Sequence, residues 1–223
     1  MSKTVLVVCA HPDDETLGCG GAIARHVAEG DKVLAMMFTT GLRSRGGVTD
    51  EGIARRHCHA TDAAKTLGFT WYARYDFPDN RMDSIDLLDV VQDVEEAIDT
   101  LQPELVYTHH GGDLNIDHRQ VHDATMTAIR RLPEQIVCEV RCMEVPSSTE
   151  FSKTPFIPNL WIALTEDQAA RKHMALSCYT DELRQWPHPR CHEAIGYLEL
   201  RRAVEGGVGP LAEAFNVISR RIL

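Results

Sequence analysis

The chain has 223 residues, 33 Asp and Glu against 23 Lys and Arg, and a formal net charge of -10, which argues against general binding to nucleic acid or anionic membrane, since both rely on a basic face. It is long enough to bury a core without staples, and no run reaches the roughly 18 to 20 uninterrupted apolar residues of a membrane-inserted helix. Seven cysteines, an odd number with no C-x-x-C pair, point to buried free thiols in a reducing compartment and so to a cytoplasmic protein.

Residues 4–10 are a continuous apolar run that reads as a strand buried on both faces. They start so close to the N-terminus that no secretory leader is expected. A helix follows over about 15–29, then a second strand over 32–38. The polar, glycine-containing stretch 39–50 reads as a loop, and a helix over about 51–67 is expected to end at Gly68, a C-cap position. Strand three is 70–75. The turn at Phe77, Pro78, Asp79 and Asn80 leads to an amphipathic helix near 83–101, stopped by Pro103, and to a short strand over 105–108. A helix over 117–131, strands near 135–145 and 158–163, and a helix over 166–177 complete the prediction; the Pro- and Ser-containing stretch 145–158 is a loop.

Alternating strands and helices predict a doubly wound, mostly parallel α/β sheet of Rossmann-like type, in a single domain spanning 1–223. If the first strands take the order 3-2-1-4-5, strands one and four are neighbours, and ligands bind in the crevice at their C-terminal ends. The chain's two histidine clusters both fall there.

Directly after strand one stand Ala10, His11, Pro12, Asp13, Asp14, Glu15 and Thr16. Helix capping accounts for one Asp or Thr, and the helix dipole favours acids in the first turn; neither calls for His11 or for two Asp in a row. A turn at Pro12 would bring His11 and Asp14 to one side and aim Asp13 elsewhere, so that one motif supplies two ligands and a separate base. The second cluster runs from His109 and His110 through Asp113, Asn115 and Asp117 to His118, with His122 one helical turn on. Asp117 as an N-cap explains only itself. Two His and a carboxylate with a fourth position open to water form a catalytic zinc arrangement, whereas a structural zinc site fills all four.

These residues resemble the PIG-L/LmbE deacetylases, zinc enzymes that remove acetyl groups from N-acetylglucosamine-type sugars, sugar lipids and thiol cofactor precursors. The run from Ala10 to Glu15 matches that family's first motif without change, and the resemblance covers most of the chain. It implies one Zn2+ per chain held by His11, Asp14 and His118, with Asp13 as general base. It also implies that Arg56 and Asp79 bind substrate, beside their plainer readings as a solvated helix Arg and a turn Asp. One departure stands out: where many members carry a histidine three residues before the last ligand, this chain has Asn115. Asn donates a hydrogen bond to an oxyanion but delivers no proton at neutral pH. Either Asp13 performs both proton transfers, or His110, His122 or His188 reaches in. Asp117, beside the ligand His118, is expected to orient it.

The expected function is therefore hydrolysis of an acetamide on a small N-acetylated substrate of N-acetylglucosamine type. An amidase of a thiol conjugate or other non-sugar amide is the alternative within hydrolases, and the Arg43, Arg45, Arg55 and Arg56 group is compatible with an anionic substrate. A nucleotide-binding module is disfavoured: Gly18, Gly20 and Gly21 complete no G-x-G-x-x-G at the turn, and three carboxylates stand where a pyrophosphate needs backbone N–H groups. Those glycines are expected to allow close helix-to-sheet packing. The partner is a small molecule; a homo-oligomer is left open.

Overall fold

The computed structural model describes residues 2–130 and 136–221. Strand β1 (Thr4–Cys9) is buried along nearly its whole length because alternate side chains enter two different cores. Val5, Val7 and Cys9 pack toward helices α1 (Asp14–Ala28), α2 (Asp50–Leu67) and α5 (Glu166–Cys178). Leu6, Val8 and Ala10 pack toward α3 (Leu87–Leu101) and α4 (Ile116–Ala128).

Around β1 lie β2 (Lys32–Met37), β3 (Thr70–Arg74), β4 (Leu105–His109) and β5 (Glu139–Met143), all parallel. The expected order 3-2-1-4-5 is found, and two further strands extend it to a seven-stranded sheet, β3-β2-β1-β4-β5-β7-β6. Here β6 is Leu160–Leu164, and β7 (Leu211–Arg220) runs antiparallel to both its neighbours. Neither β7 nor the helix before it, α6 (His192–Gly206), is among the elements expected from the sequence.

Several boundaries move for local reasons. The helix expected from residue 83 starts at Leu87, because a single 3-10 turn at Met82–Ser84 first carries Met82 into the core. Asn115, not Asp117, is the N-cap of α4: its side chain accepts the Asp117 N–H. The expected ends at 131 and 135 lie outside the described residues. Helix α2 closes as expected at Gly68, whose φ of 86° carries the chain through the left-handed region.

Helix α1 lies unusually close to the sheet. A Cβ on Gly18 would meet the Met143 sulfur at 2.6 Å, and one on Gly21 would meet Leu164 at 2.4 Å, so these glycines serve the packing anticipated for them. The helix is also broken at Cys19 (φ -149°, ψ 23°). Past the break, the Gly21 and Ala22 N–H groups donate at 2.8 and 2.7 Å to Glu213 of β7. Lys172 of α5, fully enclosed, pairs with Glu213 at 2.8 Å and with Glu199 at 3.2 Å. No described helix is long and apolar enough to cross a membrane.

Candidate metal centre and active site

At the end of β1 the chain turns sharply through His11, Pro12, Asp13 and Asp14. The Asp14 N–H donates to the His11 carbonyl at 3.4 Å, and Asp13 takes φ 111°, ψ -27°. Proline second and a positive φ third describe a turn of type II character, in which glycine is the usual third residue. The turn leaves His11 and Asp14 side by side and directs Asp13 away. From the end of β4, the loop 110–114 leads to Asn115 and α4, which presents His118 in its first turn.

Three buried ligand atoms converge. His11 Nδ1 lies 3.2 Å from both Asp14 Oδ2 and His118 Nε2, and His118 Nε2 lies 3.4 Å from Asp14 Oδ1. A tetrahedron with bonds of about 2.0–2.1 Å has edges of about 3.3–3.4 Å, and the two ring nitrogens, together with the two Asp14 oxygens that face them, lie at about that spacing, close enough to hold one ion. Asp14 Oδ1 is buried without a hydrogen-bond partner, a costly condition that a cation relieves. The donor set, two imidazoles and one carboxylate, suits zinc.

Carboxylates set both rings. His11 Nε2 meets Asp117 Oδ2 at 3.0 Å, and Asp117 also accepts the Asn80 and Met82 N–H groups at 2.6 and 3.1 Å. His118 Nδ1 meets Asp113 Oδ1 at 3.1 Å, and Asp113 is held by Ser148 and by Thr149 Oγ1 at 2.6 Å. The expectation that Asp117 orients its neighbour His118 is therefore corrected. Adjacent residues on a helix do not share a face, so Asp117 lies against His11 instead, and the carboxylate beside His118 is that of Asp113. His109 is no ligand: its Nε2 accepts the Ala10 N–H at 2.9 Å, and its ring stacks on His118 with centroids 4.0 Å apart. Burial pushes it well below the usual imidazole range, so it is neutral.

Asp13 stands apart from the three ligands, its Oδ2 on Arg190 Nη1 at 3.0 Å. Burial raises its carboxyl to about 6 against the opposing pull of Arg190, which makes it a better proton acceptor near neutrality than an ordinary aspartate. A cavity of about 80 Å³ opens beside it, lined among others by His11, Asp13, Arg56, Asp79, Asn115 and Arg190. Arg56 is buried rather than solvated: it pairs with Glu182, and its Nη1 has no partner. Asp79 accepts the Ser44 N–H and hydroxyl at 2.8 and 2.6 Å and lies 3.5 Å from His11 Nε2. Asn115 also lines the cavity, with its Oδ1 committed to capping.

The three alternative histidines do not line this cavity. His110 bonds the Thr154 carbonyl at 2.9 Å, His122 the His109 carbonyl at 2.8 Å, and His188 Nδ1 accepts the Arg190 N–H at 3.1 Å. What the sequence missed is the cover on the other side, Glu182 and Arg190. Glu182 also draws in Arg45 at 2.8 Å.

Three converging ligands with a carboxylate set beside them are the layout of a metal-dependent amide hydrolase. A family model described as GlcNAc-PI de-N-acetylase, PIG-L, matches residues 6–129, and the chain belongs to that family. It is 31% identical over 179 residues to the uncharacterized deacetylase YaiS of Escherichia coli strain K12, an alignment covering 78% of this chain and 89% of that protein. With the 1D-myo-inositol 2-acetamido-2-deoxy-alpha-D-glucopyranoside deacetylase 1 of Saccharopolyspora erythraea it shares 28% over 165 residues, 58% of this chain and 54% of that one, so it spans about half that relative's length. The solved structure of GalB, the 4-carboxy-2-hydroxymuconate hydratase of Pseudomonas putida KT2440, superposes with a TM-score of 0.76 at 22% identity, covering 99% of this chain and 98% of that one. That likeness is one of fold.

Proposed function

We propose that this enzyme is a zinc-dependent N-deacetylase of a small substrate of N-acetylglucosamine type, releasing acetate and a free amine. The observation that carries the proposal is the triangle of His11, Asp14 and His118 with Asp13 beside it but outside it. The substrate class is supported by the family's description and by the acetamido sugar named for the Saccharopolyspora relative. Seven free cysteines, four of them buried, are in keeping with a cytoplasmic setting.

His11, Asp14 and His118 would hold one zinc ion per chain, which would supply a Lewis acid and lower the pKa of water there toward about 7. The rest is done by the chain. Asp117 and Asp113 keep the two imidazoles in their tautomers and orientation. Arg190 holds one oxygen of Asp13, leaving the other to take the proton from the attacking water and return it to the departing amine. The Asn115 amide donates to the oxyanion as the carbonyl becomes tetrahedral. Arg56 and Asp79, both at the cavity wall, hold the sugar hydroxyls.

Acetate release measured over N-acetyl sugars, their nucleotide-linked forms and N-acetylated thiol conjugates tests the substrate class, with metal content followed in parallel. Turnover of the sugars that vanishes on exhaustive chelation and returns with zinc is expected. Full activity in demonstrably metal-free protein, or hydrolysis of the thiol conjugates alone, overturns the proposal.

A further inference from the structure

Asp13 occupies the N-cap of α1, where an aspartate normally turns its carboxylate back onto the helix's free N–H groups. It makes no such bond. Its side chain is instead directed to Arg190 and the cavity, and its backbone is held at a positive φ that side-chain-bearing residues rarely adopt. Such a conformation persists only where the surroundings impose it.

Glu15 imposes it. Its carboxylate is fully buried, two residues into the helix, and Oε2 accepts the Asp13 N–H at 3.0 Å. The other oxygen accepts the Thr16 hydroxyl and the Tyr179 hydroxyl, each at 2.6 Å. Three neutral donors thus fix a carboxylate that touches no ligand atom and does not line the cavity. The Asp13 carbonyl is anchored in turn by the Thr16 and Leu17 N–H groups at 3.1 and 2.8 Å. The usual capping arrangement, in which a glutamate of the first turn reaches back to the N-cap N–H, is here made one residue early, while the N-cap side chain is released from its share of it.

We propose that Glu15 is a positioning residue for the reaction: by capping the Asp13 N–H and locking the turn, it frees the Asp13 carboxylate from helix capping and aims it at the site. Tyr179, from the segment after α5, fixes Glu15 in that pose. The inference rests on Asp13 being the base.

A double-mutant cycle on the zinc-loaded full chain tests it, comparing Glu15→Met, Asp13→Asn and the pair. Met keeps the length but offers no acceptor; Gln keeps an oxygen for the Asp13 N–H and an amide that both hydroxyls can accept. Glu15→Met is expected to lower kcat at least about tenfold, a fraction of the whole base effect, with KM and zinc content nearly unchanged, and Glu15→Gln to restore most of it. In the Asp13→Asn background Glu15→Met should cost nothing more, because a residue acting through Asp13 has nothing left to act on. The crystal structure of zinc-loaded Glu15→Met should show Asp13 moved out of positive φ. Where Glu15→Met does not fold, Tyr179→Phe takes its place in the same cycle. Additive losses, or full turnover in Glu15→Met while Asp13→Asn is crippled, overturn the inference alone; an Asp13→Asn enzyme as active as the unaltered one removes the assignment of the base itself.

Discussion

Asp13 and Asp14 are chemically identical neighbours with different work, and the turn between them does the sorting. Asp14 has an oxygen without a hydrogen-bond partner at the convergence of two imidazoles, while Asp13 faces an arginine. Asp14→Asn is therefore expected to lose zinc, measured as metal per chain after dialysis. Asp13→Asn should keep zinc and lose roughly a hundredfold to ten-thousandfold in kcat, the usual worth of a general base; the reverse pattern would exchange the roles. The grouping of His11, Asp13 and Asp14 was readable from sequence because they lie within four residues, and that of His118 because it stands with other polar residues at the start of a helix. Arg190 was not, since 177 residues separate it from Asp13 and nothing in its surroundings of Pro and His announces where the chain will return. Asp117 was expected against His118 but meets His11, because adjacency in sequence is not adjacency on a helix.

Among the elements, α1 bears the tightest packing and the most unusual support. Gly21→Ala drives a methyl to 2.4 Å from Leu164, and overpacking of that kind costs about 1–3 kcal/mol. Gly196→Ala, in the interior of α6 with open space around it, should instead stabilise by up to about 1 kcal/mol through helix propensity. Urea denaturation of the two variants checks the opposite signs. The five parallel strands were legible because their apolar runs alternate with helices. Strand β7 was not: Glu213 interrupts its apolar pattern and reads as a surface residue, although it is buried against the break in α1 with Lys172 beside it.

For the whole molecule, burial protects four of the seven cysteines, and two of them, Cys9 and Cys19, sit in one core cluster. Burial raises the Cys9 and Cys19 thiols well above their usual range and pushes Cys142 up to about 12; a thiol so disposed is a poor nucleophile. A chromogenic disulfide reagent at pH 8 should modify exposed Cys58 quickly and half-buried Cys138 and Cys178 more slowly, with Cys9, Cys19, Cys142 and Cys191 reacting only in denaturant. Four or more fast thiols in the native protein would contradict this packing. The sheet order carries a different consequence, for synthesis. Strand β7 is made after β6 yet lies between β6 and β5, so β6 has no neighbour in the sheet until the last strand has emerged. Chains fold as they leave the ribosome, N-terminal portions first, and every proposed ligand and the proposed base lie before residue 119. A nascent chain stopped short of residue 211 already holds His11, Asp14 and His118, the groups proposed to bind metal, while the Glu213 carboxylate that supports α1 past its break has yet to be made. Metal capture can thus precede closure of the sheet, leaving the newborn chain loaded before it is locked.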